Sequence, residues 1–260
     1  MSLHFVSCGG AGPPALLIHG FGGDHLSWLA NQNEIATEAT TQAVDLPGHG
    51  ESSLDVGDGD VETLAAMLVE ALDERPLGRI HLIGHSLGGV VAMKIAQFRP
   101  DLVASLILIT PAGLGGAIDA DFLARFSTLV DPDDALALLQ RLVSRPRLIN
   151  RHMVARVLDQ LGRPGAREAL ARIADALPRA RLDEAAAAIV AADIPRLVVW
   201  GAADAINPLH ELALASFGGE RLIVPDAGHM PHVEAARVVN ARCVAFLQRQ
   251  RTGDHGQIAP

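Results

Sequence analysis

The chain has no tyrosine, two cysteines, and a single lysine, Lys94, among its 21 basic residues. Mechanisms that need a tyrosine acid, a catalytic lysine or a lipoylated lysine therefore have one candidate or none. The arginine and alanine surplus is read as a mark of genomic base composition. Cys8 and Cys243 lie near opposite ends of the chain in no metal or redox spacing. That excludes a disulfide scaffold and fits a reducing compartment. Positive charge is also scarce: 21 basic residues face 30 acidic ones, a formal charge of −9. A surface of that sign repels phosphate backbones and argues against nucleic acid as a partner. Long apolar runs are missing too. The longest, near Leu102–Ile109, is interrupted by Ser105 and is far too short to cross a bilayer. No basic start followed by an apolar stretch marks a signal peptide. A soluble, cytoplasmic chain without membrane contact is expected.

Core-forming sequence is plentiful. Of 260 residues, 49% are apolar and 20% charged, enough for one large α/β domain or two small ones. Strand-length apolar runs alternate with helical patterns, which signals a mostly parallel sheet with helices on both faces. Strands are expected at Ala15–Gly20, Thr41–Leu46, Arg79–His85, Leu102–Thr110, Arg196–Asp204 and Arg221–His229. Helices are expected at about Asp24–Glu38, Val61–Glu74, Leu87–Phe98 and Val233–Gln250. Residues 114–192 carry no strand pattern, only helical segments broken at Pro132, Pro146, Pro164 and Pro178. The expected organisation is a core from 1–113 and 193–250, an inserted all-helical cap at 114–192, and a flexible tail at 251–260. Residues 140–181 hold ten arginines against Asp159, Glu168 and Asp175. Such a segment either steers an anionic substrate or is a solvated face offset by acidic neighbours, and the second, plainer reading is preferred.

The sharpest local signal is Gly84-His85-Ser86-Leu87-Gly88, followed by Gly89, between a buried-type strand and a helix. A serine there sits on a tight turn, and flanking glycines let neighbouring backbone pass. Its hydroxyl is thereby presented above the carboxyl end of the sheet. A serine hydroxyl is a weak nucleophile near neutral pH; it needs a base, and the base needs an orienting carboxylate. Asp204 ends one downstream strand, and His229 stands just before the last helix; both would meet Ser86 at one edge of the sheet. Asp226 is nearer to His229 in sequence but precedes the turn. The Gly-rich loop His19–Asp24 can turn N–H groups inward, so those of Phe21 and Leu87 form the expected oxyanion hole. One such donor is worth about 3 kcal/mol in a transition state. His85, Phe122, Phe126 and Leu129, with Leu139, are the expected pocket walls, although the cap residues among them serve equally well as cap core. Phosphate-loop, HExxH and dinucleotide fingerprints are lacking. His19, His25, His49, His81 and His85 lack suitably spaced carboxylate or cysteine partners, so neither a metal nor a cofactor is expected. DLPGHGES, Asp45–Ser52, reads as a strand end and tight turn near the site mouth.

HGFGGD, DLPGHGES, GHSLGG, the WGAAD strand end and DAGHMPHVE, in that order within residues 14–247, resemble the α/β-hydrolase family. The resemblance implies Ser86 as nucleophile, Asp204 as acid, His229 as base, and a helical lid after the strand ending near Thr110. Its serine separates the chain from the haloalkane dehalogenases and epoxide hydrolases of the same fold, which use aspartate. HGFGGDHLSWLANQ, TPAGLGGAIDADFL and GHMPHVE are similar to the hydrolase-like catalytic region of the acetyltransferase components of acetoin dehydrogenase complexes. Those relatives join such a domain to an N-terminal lipoyl domain. Here the chain begins at the hydrolase domain and Lys94 lies in the helix after the turn, so self-tethered transfer is not expected. The expected activity is that of a carboxylesterase-like serine hydrolase taking a small acyl substrate, ester or thioester, through an acyl-enzyme. Acyl transfer to a thiol, lipoamide in trans or coenzyme A, is the alternative. A silent binding protein on the same fold is the remaining class. Monomer and homodimer suit the sequence equally.

Overall fold

In a strand, successive side chains point to opposite faces of the sheet, and here that alternation divides the core in two. The computed structural model describes residues 2–114 and 117–252. Its strands are β1 Phe5–Gly9, β2 Pro14–Ile18, β3 Thr40–Val44, β4 Ile80–His85, β5 Val103–Ile109, β6 Arg196–Gly201 and β7 Glu220–Val224. They form one sheet in the order β1-β3-β2-β4-β5-β6-β7. β1 is antiparallel to β3, and the other pairings are parallel. The helices are α1 Gln32–Ile35, α2 Val61–Asp73, α3 Leu87–Phe98, α4 Ala120–Phe126, α5 Pro132–Gln140, α6 Arg151–Leu161, α7 Ala166–Ala176, α8 Asp183–Ala191, α9 Glu211–Phe217, α10 Pro231–Glu234 and α11 Ala236–Thr252. Leu16, Ile18, Leu82, Leu106, Leu108 and Trp200 pack with α2, α3 and α8 on one face. Leu17, Ile83, Ile107, Ile109, Leu197 and Val199 pack with α1 and α11 on the other. Each such side chain contributes about 1.5–3 kcal/mol by leaving water. This is the mostly parallel sheet with helices on both faces that the alternating pattern predicts, in the α/β hydrolase arrangement that the motif resemblance implies.

The chain leaves β2 toward β3 on one side, and β4 lies on the other. That reversal opens a crevice at the carboxyl ends of β2 and β4, where open α/β sheets bind ligands. Residues between β5 and β6 supply α4 to α8 and no strand among those described. Prolines open helical turns there as well as separating them: Pro132 is the first residue of α5, and Pro146 begins a short 3₁₀ turn.

Several expectations need correction. The helix expected over Asp24–Glu38 is a 3₁₀ turn, His25–Trp28, followed by the short α1. Between them the Asn31 amide donates to the His232 carbonyl (2.8 Å) and to Asn240 Oδ1 (2.6 Å), so tertiary bonds override helical continuity. The final helix is split at Ala235 into α10 and α11. β1 escaped notice because an edge strand with half-exposed residues has no apolar run. α9 escaped because it is short and is capped by a histidine, His210. Of the expected tail, Arg251 and Thr252 belong to α11, and 253–260 lie outside the described residues. Among the described residues no helix is long and apolar enough to cross a membrane.

Candidate active site

Ser86 stands between the last residue of β4 and the first of α3, with φ 51° and ψ −114°. A non-glycine residue in that left-handed region costs about 1–3 kcal/mol and persists only where its surroundings impose it. Here the Ser86 N–H donates to the Ile109 carbonyl (2.9 Å), and its own carbonyl accepts from Gly89 (3.0 Å) and Val90 (3.2 Å). The turn requires its glycines: a β-carbon on Gly84 would collide with the Gly88 carbonyl, and one on Gly88 with the Ile18 carbonyl.

Asp204 and His229 come from loops after β6 and β7 that are stitched together. Ala203 N–H donates to the Ala227 carbonyl at 2.9 Å. The Asp204 side chain is fully buried, and its Oδ1 accepts from the N–H groups of Ile206 and Asn207, each at 2.9 Å. Its Oδ2 accepts from His229 Nδ1 at 2.8 Å. Since a carboxylate only accepts, Nδ1 is the donor, and in the neutral ring this tautomer leaves the lone pair on Nε2. The His229 carbonyl is held in turn by His85 Nε2 (2.8 Å) and Thr110 Oγ1 (3.0 Å). His85 is neutral: burial, with His232 and His229 close by, pushes it well below the ordinary histidine range. Asp226 is exposed, and its carbonyl accepts from Ser144.

Ser86, His85 and His229 line one cavity of about 460 Å³ together with Phe21, Phe122 and Phe126. Among the described residues no hydrogen bond joins Ser86 to His229. Leu129 is not on the cavity wall; it is buried in the helical core, and its carbonyl takes a hydrogen bond from Arg167 (2.7 Å). Leu139 does line the cavity. The Gly20–Gly23 turn, closed by Gly23 N–H to the Gly20 carbonyl (3.0 Å), lies against the serine, since a β-carbon on Gly20 would sit 3.2 Å from Ser86 Cβ. The Phe21 ring is 5.2 Å from Phe126 and 6.1 Å from His49, both edge-on. Leu87 begins α3, so its N–H belongs to the group without intrahelical partners.

The family model described as the alpha/beta hydrolase family matches residues 15–242. The chain belongs to the alpha/beta hydrolase family. It is 38% identical over 248 residues to the dihydrolipoyllysine-residue acetyltransferase component of the acetoin cleaving system of Pseudomonas putida, covering 95% of this chain and 67% of that protein. It is 33% identical to the protein of the same name from Cupriavidus necator, covering 92% and 64%. The chain thus spans about two thirds of the length of these relatives. Among solved structures, a thermophilic esterase from Thermogutta terrifontis aligns with a TM-score of 0.78 at 27% identity, over 96% of this chain and 94% of that one.

Two features of this hydrolase were missed in the sequence. Buried Glu234, within the quoted GHMPHVE, joins the helical segment to the His229 loop. Its Oε1 accepts from Gly228 N–H (2.6 Å) and its Oε2 from Ser144 N–H (2.9 Å), while the single proton of Ser144 Oγ is shared between Oε2 (2.7 Å) and the Asp226 carbonyl (2.6 Å). Asp45 is the other. Its carboxylate accepts from His4 Nδ1 (2.9 Å), His25 Nδ1 (2.9 Å), and the N–H groups of His25 (2.6 Å) and Glu51 (2.9 Å). Burial opposes its ionisation, but these hydrogen bonds prevail and hold it at about 2. His4, His25 and Asp45 each offer one ligand atom within 4.8 Å of the others, so the fold supplies His25 with the carboxylate partner that sequence spacing lacks.

Proposed function

We propose that this chain is a serine hydrolase cleaving carboxylic esters or thioesters of small acyl groups through a covalent acyl-enzyme. The observation that carries the reading is the placement of strained Ser86 and Asp204-bound His229 on the wall of one apolar cavity. In the proposed cycle Ser86 Oγ attacks the acyl carbonyl while its proton passes to His229 Nε2. Asp204 keeps Nδ1 protonated and stabilises the imidazolium. The N–H groups of Phe21 and Leu87 hold the tetrahedral oxyanion. The bond to the leaving oxygen or sulfur then breaks as His229 returns its proton to that atom. Water, deprotonated by His229, attacks the Ser86 ester and releases the acid. Catalytic hydrogen bonds that are open in a free enzyme commonly tighten when substrate binds, and the Ser86–His229 bond is assigned to that stage. Cys8 and Cys243 are unpaired, as suits a cytoplasmic protein.

The likeness to the acetoin acetyltransferase components supports a second reading, in which a thiol rather than water takes the acyl group. One experiment separates the two: p-nitrophenyl butyrate turnover and labelling by a fluorophosphonate probe, for wild type and Ser86→Ala, with and without dihydrolipoamide or coenzyme A. Steady turnover in plain buffer, lost with the label in the variant, is expected. A burst that stalls until thiol is added would give the transferase reading precedence. An unlabelled wild type without turnover would refute both.

A further inference from the structure

Of the ten arginines at 140–181, Arg156 on α6 is the one that reaches the cavity wall among the described residues. The others that bond are committed elsewhere. Arg145, Arg163, Arg167 and Arg172 donate to main-chain carbonyls, and Arg141 and Arg151 pair with carboxylates. Arg156 is held by a single contact, Nε to Asp24 Oδ2 at 2.7 Å, and its Nη1 and Nη2 have no protein acceptor among the described residues. Asp24 has no oxygen idle, because Oδ1 accepts from Leu26 N–H at 2.8 Å. The carboxylate thus fixes the guanidinium plane and leaves its fork free, the arrangement that matches an incoming carboxylate in bidentate fashion. His152 and Gln160, one turn before and after Arg156 on α6, also line the cavity, so a polar stripe faces walls otherwise formed by residues such as Phe122, Leu139 and Val157. Asp24 follows Phe21 by three residues, which keeps their Cα atoms within about 11 Å of each other, and both residues line the same cavity as Ser86.

We infer that the acyl group of the substrate ends in a carboxylate, bound by the free fork of Arg156, making Arg156 a specificity-determining residue for short ω-carboxyacyl esters or thioesters. This inference rests on the serine-hydrolase reading. The test compares kcat/KM for monoethyl glutarate and its neutral near-isostere ethyl 4-carbamoylbutanoate, with ethyl butyrate alongside. Wild type should favour the carboxylate, and Arg156→Gln should lower the carboxylate-to-carboxamide ratio about ten- to hundredfold, chiefly through KM. Arg156→Lys should recover part of that ratio. A wild-type preference for the carboxamide, or a ratio unmoved by the substitution, would overturn the inference while ethyl butyrate turnover left the parent reading standing. Loss of all three activities in wild type would instead refute the parent reading.

Discussion

Acidification from pH 7.5 to 5 should strip this protein of a large part of its stability, through histidines rather than carboxylates. Burial, aided by neighbouring His19 and His229 respectively, holds His49 and His232 at about 3. Burial, with Arg79 nearby, holds His81 at about 4. In the unfolded chain each titrates near about 6.5. Between that value and the native ones the unfolded state binds more protons, so stability falls as pH falls through this window. At about 1.4 kcal/mol per pH unit, each residue costs the native state about 2 kcal/mol at pH 5, and the three together about 6 kcal/mol. His19 and His85 are shifted in the same direction. A domain's whole stability is about 5–15 kcal/mol, so the loss is large. Asp45, held at about 2, contributes fully throughout this range, because its contribution fades only below about 4. Urea denaturation followed by circular dichroism at pH 7.5, 6.5, 5.5 and 5, at constant ionic strength, measures the slope directly. The midpoint should drop steadily below pH 6.5, and less steeply in His49→Gln. A midpoint flat to pH 5, with loss beginning only near pH 4, would refute the reasoning and assign acid lability to carboxylates.

Two further outcomes follow from the site. Asp204→Asn replaces the acceptor for His229 Nδ1 while retaining one oxygen for Ile206 and Asn207, so the imidazole should adopt the wrong tautomer. The expected loss in kcat on p-nitrophenyl butyrate is about 10⁴-fold with KM nearly unmoved, and a loss below tenfold would contradict the assigned role. Glu234→Gln turns an amide NH₂ toward either buried Gly228 N–H or part-buried Ser144 N–H and leaves that donor unmet. Stability should fall by about 1–3 kcal/mol, with kcat reduced more than KM as the His229 loop shifts; wild-type values in both assays would show that the carboxylate is not needed there.

The parts of this molecule that could be read in advance are those whose pattern is local. β4, α3 and the turn between them were legible because a continuous apolar run, a Gly-x-Ser-x-Gly turn and a proline stop all lie within twenty residues of one another. The candidate triad was legible from strand ends, because parallel sheets place those ends at one edge. The remainder depended on partners distant in sequence. Asn31 bonds across two hundred residues to α10 and α11, which no local pattern encodes. Asp45 gathers His4 and His25 from two other segments, and Glu234 meets Ser144 from the opposite part of the chain. Leu129 and Leu139 are both buried in the helical core, and only packing places Leu139 on the cavity wall as well. The arginine-rich stretch reads in sequence as a solvated face offset by acidic neighbours, whereas Arg145, Arg163, Arg167 and Arg172 donate to main-chain carbonyls, and composition does not single out Arg156.

The arginines that fasten the helical segment reach for the main chain. Arg145, Arg163 and Arg172 address the main-chain oxygens of Glu234, Gly50 and Gly57, not side chains. A main-chain oxygen survives any substitution at its residue that preserves the loop's path. The path itself is what restricts these three residues, since Gly50 and Gly57 have positive φ and Glu234 holds the His229 loop. The joint between scaffold and cavity roof thus rests on the course of the main chain, and a substitution elsewhere in those loops that keeps this course leaves it fastened.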